Sequence, residues 1–548
     1  MLLLPLRTLA LTFFCLGAVT ADTVVHLGYA SYRGTALPNG ISQWLGMRYA
    51  APPVGNLRFA APQDPPVMPG IQDATTHGPL CISTSEYPIP SGQSEDCLFL
   101  DVYAPTNVTS LTKLPVFFWI QGGGFNADSN ANYNGTGLIE ASGMNIVVVT
   151  FNYRVGPYGF LAGKEVQEGG SLNNGLKDQI KALQWVQQYI SQFGGDPGHV
   201  VVGGDSAGAA SITLLLSAYG GDGQLANLFH ATAAESQSFG TILTVEESQF
   251  AYDNLTLRTG CADSADSLAC LRSLDVATLQ QQNFNIPFPG AQIPPLFMYS
   301  PTIDGELVPD YTDRLFQQGR FLKVPVIFGD DTNEGTIWVP QSTSSVAEAD
   351  TFIQAQFPFI TPQQLARINA LYMEGNNSQT SYPGAGPYWQ SASNAYGEMR
   401  YICPGIFVSS AFSQYGESTN SNWNYHYAVE DPAAEQSGYG VQHTVEVNAI
   451  WGPQYVSSPA PASYFTTNAP IVPVMQAYWT SFIRSFNPNT YRYPGSPEWI
   501  PWGGSPGENG DGYNRLFIQT GNTTMETVPL DQRYRCAYLA SIGLDLRQ

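Results

Sequence analysis

Gly204-Asp205-Ser206-Ala207-Gly208 sets a serine midway between two glycines. The run follows Val200-Val201-Val202-Gly203, which reads as a strand, and leads into Ala209–Ala218, which reads as a helix. A strand–turn–helix this tight demands small residues two positions before and two after the serine. It holds the hydroxyl clear of a sheet, at the positive end of a helix. That arrangement suits nucleophilic attack on a carbonyl carbon.

A serine hydroxyl attacks poorly without a base, and an elbow of this kind is followed in chain order by an acid and then a histidine. Three histidines come after Ser206. His230 is too close behind the elbow to follow an acid on a later strand. His426 alternates with aromatics in Asn424-Tyr425-His426-Tyr427 and reads as a strand position. His443 ends the Gly-flanked segment Gly438-Tyr439-Gly440-Val441-Gln442, a loop that can present an imidazole. Spacing favours His443 but leaves His426 open. The acid belongs just past a strand end, where it fixes the imidazole tautomer and stabilises the imidazolium. Val324–Phe328 reads as such a strand, and Asp330, Asp331 and Glu334 follow it, with nothing in their spacing to separate them. Gln121-Gly122-Gly123-Gly124-Phe125 comes directly after the strand Val116–Ile120. Consecutive glycines let backbone N–H groups approach a developing oxyanion, at about 2.7–4 kcal/mol for a donor of this kind.

These groups need a rigid frame, and the pattern supplies one. Strand-like runs at Leu98–Tyr103, Val116–Ile120, Ile146–Phe151 and Val200–Val202 enclose a helix whose apolar positions, Leu176, Ile180, Leu183, Val186, Ile190 and Phe193, recur every three or four residues. The continuous apolar run Ile146–Val149 is that of a strand buried on both faces, so a mostly parallel sheet with helices on both sides is expected. No repeat or linker divides the chain, which reads as one large domain over residues 22–548. With 43% hydrophobic and 12% charged residues the composition is that of a folded protein. A formal charge of −22 argues against nucleic-acid partners and anionic membranes.

Residues 1–21 read as a signal peptide: Arg7, an apolar stretch from Thr8 to Val19, then the small residues of Val19-Thr20-Ala21. The stretch is short for a membrane span of ~20 residues, and no later segment reads as an anchor, so a secreted chain is expected. Cys15 leaves with the signal. Of the fifteen pairings open to the other six cysteines, short spacings favour Cys81–Cys97 and Cys261–Cys270, leaving Cys403 with Cys536. Sequons at Asn107, Asn134, Asn254, Asn376 and Asn522 suit a secreted glycoprotein. The cysteine and histidine spacing gives no zinc motif.

Taken together, the motifs resemble those of the type-B carboxylesterase family, which includes cholinesterases, bile-salt-activated lipase and secreted fungal lipases. The resemblance covers most of the chain and is strongest from Gly46 to Ser211. It is carried by Gly46-Met47-Arg48-Tyr49-Ala50 with Pro52-Pro53-Val54-Gly55-Asn56-Leu57-Arg58-Phe59, by Ser94-Glu95-Asp96-Cys97-Leu98-Phe99-Leu100-Asp101-Val102, by Phe151-Asn152-Tyr153-Arg154-Val155-Gly156, by Asn174-Gly175-Leu176-Lys177-Asp178-Gln179 and by the serine motif itself. It implies an α/β-hydrolase fold and a serine carboxylesterase or lipase that needs no cofactor and acts on a small-molecule or lipid ester. Asn333-Glu334-Gly335 is similar to the family's acid motif, and His443-Thr444-Val445-Glu446 with Trp451-Gly452 to its histidine motif. The implied catalytic set is Ser206, Glu334 and His443, with the N–H groups of Gly123, Gly124 and Ala207 as the oxyanion hole. Arg58 with Glu95, and Arg154 with Asp178, are implied structural ion pairs. Asp205 stands where glutamate is common, and Gln121 where histidine or tyrosine often precedes the glycines. The fifteen residues between Cys81 and Cys97 contain no tryptophan, which argues against choline-ester selectivity. The family also holds adhesion proteins that keep the fold without the serine; here serine, acid, histidine and glycine run are all present.

Overall fold

A computed structural model describes residues 23–129, 132–374, 382, 384–416, 421–503 and 512–548. Residues 1–21, read from the sequence as a signal peptide, and Asn376 lie outside the described residues. The centre is an eleven-stranded sheet. In chain order its strands are β1 (Thr35–Ala36), β2 (Ile41–Arg48), β3 (Phe99–Pro105), β4 (Leu114–Ile120), β5 (Val147–Phe151), β6 (Gly195–Asp205), β7 (Ala231–Glu235), β8 (Val326–Asp331), β9 (Asn422–Tyr427), β10 (Asn514–Ile518) and β11 (Thr524–Thr527). In space they run β1-β2-β3-β5-β4-β6-β7-β8-β9-β10-β11. The seven from β5 to β10 are parallel, and the pairs at both edges are antiparallel.

The parallel strands are buried on both faces, and their alternating side chains feed two cores. Val116, Phe118, Ile120, Val200 and Val202 join one core with helices α1 (Asn174–Tyr189) and α2 (Ala207–Leu216). Phe117, Trp119, Val148 and Val201 join the opposite core with α4 (Ile471–Ser485). Each large apolar side chain so buried contributes about 1.5–3 kcal/mol. This two-sided demand explains the absence of polar alternation along β4 and β5. The apolar stripe of α1 packs inward, and the helix tightens into a 3-10 turn over Ile190–Phe193 before Gly194 reverses the chain at φ 79°. A third core lies among helices from the second half of the chain, including α3 (Cys403–Tyr415).

Cross-links hold the loops around the sheet. Disulfides join Cys81 to Cys97, Cys261 to Cys270 and Cys403 to Cys536. Arg154 grips Asp178 through two nitrogens, with Nη2 2.7 Å from Oδ1, and both side chains are buried. Arg58 pairs with Glu95 and also donates to the Leu271 and Leu274 carbonyls at 2.8 Å. Of the described sequons, Asn107 and Asn522 are exposed, while Asn254 donates to the Phe250 carbonyl within its helix.

Candidate active site

Ser206 sits between β6 and α2 with φ 54° and ψ −116°. A non-glycine residue held there stores backbone strain of order 1–3 kcal/mol. The neighbours over-determine it: the Ser206 N–H donates to the Glu235 carbonyl at 3.0 Å, and its carbonyl accepts from the Ala210 N–H at 2.9 Å. The flanking glycines are required by space. A Cβ on Gly208 would stand 2.0 Å from the Ile120 carbonyl oxygen, and one on Gly204 would stand 2.8 Å from the same atom. The chain can therefore turn tightly enough to lift the hydroxyl off the sheet.

The Ser206 hydroxyl lies 2.9 Å from Nε2 of His443. Nδ1 of that ring hydrogen-bonds Oε2 of Glu334, whose other oxygen accepts the Asp331 N–H at 2.7 Å. With the Nδ1 proton directed at the carboxylate, Nε2 is left as an acceptor for the serine O–H. All three side chains are buried. Glu334 and His443 lie on different loops, and a backbone bridge ties these together: the Asn333 N–H donates to the Val441 carbonyl at 2.8 Å, and Asn333 Oδ1 accepts the Val441 N–H at 2.9 Å. Aromatic rings hold the imidazole in place, Tyr401 at 4.2 Å and Trp338 at 5.4 Å between centroids.

The glycine run reaches the same point. A Cβ on Gly122 would come within 3.1 Å of the Ser206 Cβ, so this loop passes directly over the serine. Gly123 (φ 106°) and Gly124 (φ 60°) occupy conformations that side chains resist. Gln121 is buried below them and donates to Asp128.

The competing residues are engaged elsewhere. His426 bonds Glu526 at 2.9 Å and Thr332 at 2.8 Å, and His230 accepts the Val200 N–H. Asp330 and Asp331 belong to β8 itself, which extends beyond the predicted Val324–Phe328, so only Glu334 projects from the loop after it.

Behind the histidine lies a group of buried carboxyls, of which sequence reasoning named Asp331 only as a candidate orienting acid and missed Glu446 and Glu235. Glu446 accepts from the Tyr425 hydroxyl at 2.8 Å, Asp331 from the Val445 N–H at 3.0 Å and Glu235 from the Trp479 indole at 2.7 Å. Asp331 Oδ1 and Glu446 Oε2 have no hydrogen-bond partner among the described residues. Burial pushes Glu446 up to about 7 and holds Asp331 and Glu235 well above the usual carboxylate range. Asp313, buried in the helix Thr312–Gln317, is raised to about 7 for the same reason. Of the two that were missed, only Glu446 could have been flagged, since it lies in the segment carrying the histidine.

A stability prediction follows from the sign of these shifts. Unfolded carboxyls titrate near pH 4, so folding raises these pKa values. Their contribution is full below the unfolded value and is lost as pH rises through the folded one. For Glu446 and Asp313 the window runs from the unfolded value to about 7, and for Asp331 and Glu235 it runs higher. The Tm should therefore fall between about pH 5 and about pH 8. Calorimetry across that range checks it; a flat or rising Tm would contradict the assignment of neutral buried carboxyls.

Comparison with known proteins gives concordant results. The family model described as the carboxylesterase family matches residues 21–536. The chain is 29% identical over 524 residues to secreted lipase 4 of Gibberella zeae, covering 91% of this chain and 90% of that one. It is 34% identical over 383 residues to lipase 1 of Geotrichum candidum, covering 60% of this chain and 67% of that one. The crystal structure of Aspergillus niger EstA superposes with a TM-score of 0.91 at 45% identity, over 96% of this chain and 99% of that one.

Proposed function

This chain belongs to the carboxylesterase family and is a carboxylic ester hydrolase with the α/β-hydrolase fold; we propose that it works through an acyl-enzyme on Ser206, with His443 as base and acid and Glu334 orienting the imidazole. The observation that carries this reading is the unbroken hydrogen-bonded chain from the Ser206 hydroxyl through His443 to the Glu334 carboxylate. Ser206 Oγ attacks the ester carbonyl as its proton passes to Nε2. The N–H groups of Gly123, Gly124 and Ala207 receive the negative charge on the former carbonyl oxygen. The imidazolium then protonates the departing alkoxide. Water repeats the sequence on the acyl-enzyme and frees the acid. Residues 22–548 act as one secreted, glycosylated hydrolase domain after removal of residues 1–21. Among the described residues no helix is long and apolar enough to cross a membrane.

Access to the serine bears on the kind of ester taken. A lid that opens on a lipid surface needs a mobile amphipathic segment. The segment closed by Cys81 and Cys97 contains no helix. Its backbone is pinned to neighbouring loops: Cys81 donates to Asp128 at 2.7 Å, Thr84 to the Asn126 carbonyl at 2.8 Å and Ser85 to the Asn283 carbonyl at 2.8 Å. Soluble short-chain esters should therefore be hydrolysed without an interface. Taking p-nitrophenyl butyrate or tributyrin through its solubility limit should give a smooth saturation curve. A sharp rise on emulsification would contradict this reading.

A further inference from the structure

Among the described residues four arginines are buried: Arg58, Arg154, Arg400 and Arg515. Three of them face a carboxylate, Glu95, Asp178 and Glu526 respectively. Arg400 is 8% exposed and has no carboxylate partner among the described residues. The ionisable groups acting on it are the hydroxyls of Tyr396 and Tyr401, which burial keeps neutral. Its Nε has no hydrogen-bond acceptor among the described residues. The rings of Phe297 and Tyr401 lie 5.3 and 5.8 Å from the guanidinium carbon. Such rings soften the cost of a buried cation but supply no counter-charge.

The position of this cation gives it meaning. Arg400 lies in a π-helical turn, Glu398–Ile402, inserted ahead of α3. Turns of that kind recur at functional sites. The next residue, Tyr401, packs on the His443 ring at 4.2 Å. On the other side, Phe297 packs so closely on Gly124 that a Cβ there would stand 2.2 Å from the ring. The guanidinium thus sits one side chain away from both the imidazole and the oxyanion loop. It lines a narrow cavity that also takes in Gly124, Ala210, Phe239 and Phe288. Gly240 keeps the approach clear, since a Cβ there would stand 2.8 Å from Nη1 and 3.0 Å from Nη2.

We propose that Arg400 is a specificity-determining residue that binds a carboxylate carried by the substrate, so that the preferred esters have an anionic group a few bonds from the reacting carbonyl. A guanidinium grips a carboxylate through two parallel N–H bonds, and at a largely buried site that grip discriminates against a neutral isostere. A net charge of −22 repels anions at long range, so recognition has to be local. This proposal rests on the ester-hydrolase reading.

The test uses monoethyl esters of the dicarboxylic acids from succinate to suberate, each against the same ester with a terminal amide, and ethyl butyrate as a control. At the best chain length the wild-type enzyme should favour the acid by at least about tenfold in kcat/KM, with free dicarboxylate inhibiting competitively. Arg400→Gln should lower kcat/KM for the acid by about a hundredfold, chiefly through KM, and far less for the amide. If that variant fails to fold, the wild-type preference and the inhibition by dicarboxylate decide alone. The proposal is overturned if no chain length shows a preference for the acid, or if the variant loses both substrates equally. Ethyl butyrate separates the two levels: its turnover without a preference for acids sinks only this inference, whereas no turnover of any ester sinks the underlying reading.

Discussion

Ser206→Ala is expected to lower kcat on a soluble ester by about 10⁴–10⁶-fold, because nucleophile, base and orienting acid act as a unit and what remains is binding and oxyanion stabilisation. The fold should survive the change. Alanine inherits the backbone strain at φ 54° without adding to it, and the hydrogen bonds that fix the turn come from the backbone of residue 206. Among the described residues the only side-chain bond lost is the one from the hydroxyl to His443. Unfolding followed by circular dichroism should therefore show little shift while turnover collapses. Retention of more than a few per cent of wild-type turnover by a purified, folded variant would remove Ser206 from the mechanism.

The second large effect separates Glu334 from the two aspartates. In Glu334→Gln the side-chain oxygen can keep the Asp331 N–H, now 2.7 Å away, and this turns the amide nitrogen towards His443. An N–H donor facing Nδ1 forces the imidazole into the tautomer that carries its proton on Nε2, and the serine loses its base. A fall of about 10⁴-fold in kcat is expected. Asp331→Asn should cost less than about tenfold in kcat, since burial already keeps that carboxyl neutral and the amide is nearly isosteric with a protonated acid. Asp330→Asn should be mild for the same reason. Steady-state kinetics on the three purified variants checks this; a larger loss from either aspartate would move the orienting role away from Glu334.

These contrasts show which parts of the site the sequence carries. The elbow is legible because every requirement is local: Gly204 and Gly208 face the Ile120 carbonyl, and no residue larger than glycine fits there. The parallel sheet is legible because continuous apolar strands mean burial on both faces. Identifying the acid needs information that residues 324–335 do not contain. Asp330 and Asp331 finish a strand, and Glu334 meets His443 only because Asn333 pairs with the chain at Val441, far along the sequence. Family resemblance singled out Glu334 where spacing could not. The strand read at Val200–Val202 is longer than its apolar run suggests: Gly195 already pairs with Leu114 at the head of β6, with an irregular register before Val200. Tyr401 and Trp338 leave no pattern at all, because a π-helical turn and the loop after β8 bring their rings to the histidine.

Everything proposed for this site requires that Ser206 is the residue that becomes acylated. Incubation with a fluorophosphonate ester, followed by peptide mass spectrometry, tests it most directly. One phosphonyl group per chain is expected, on the peptide containing Gly204-Asp205-Ser206-Ala207-Gly208, with loss of esterase activity in step with labelling and no adduct on Ser206→Ala. Inactivation with the adduct on another residue, or an unlabelled Ser206 in an enzyme that turns esters over, would contradict it.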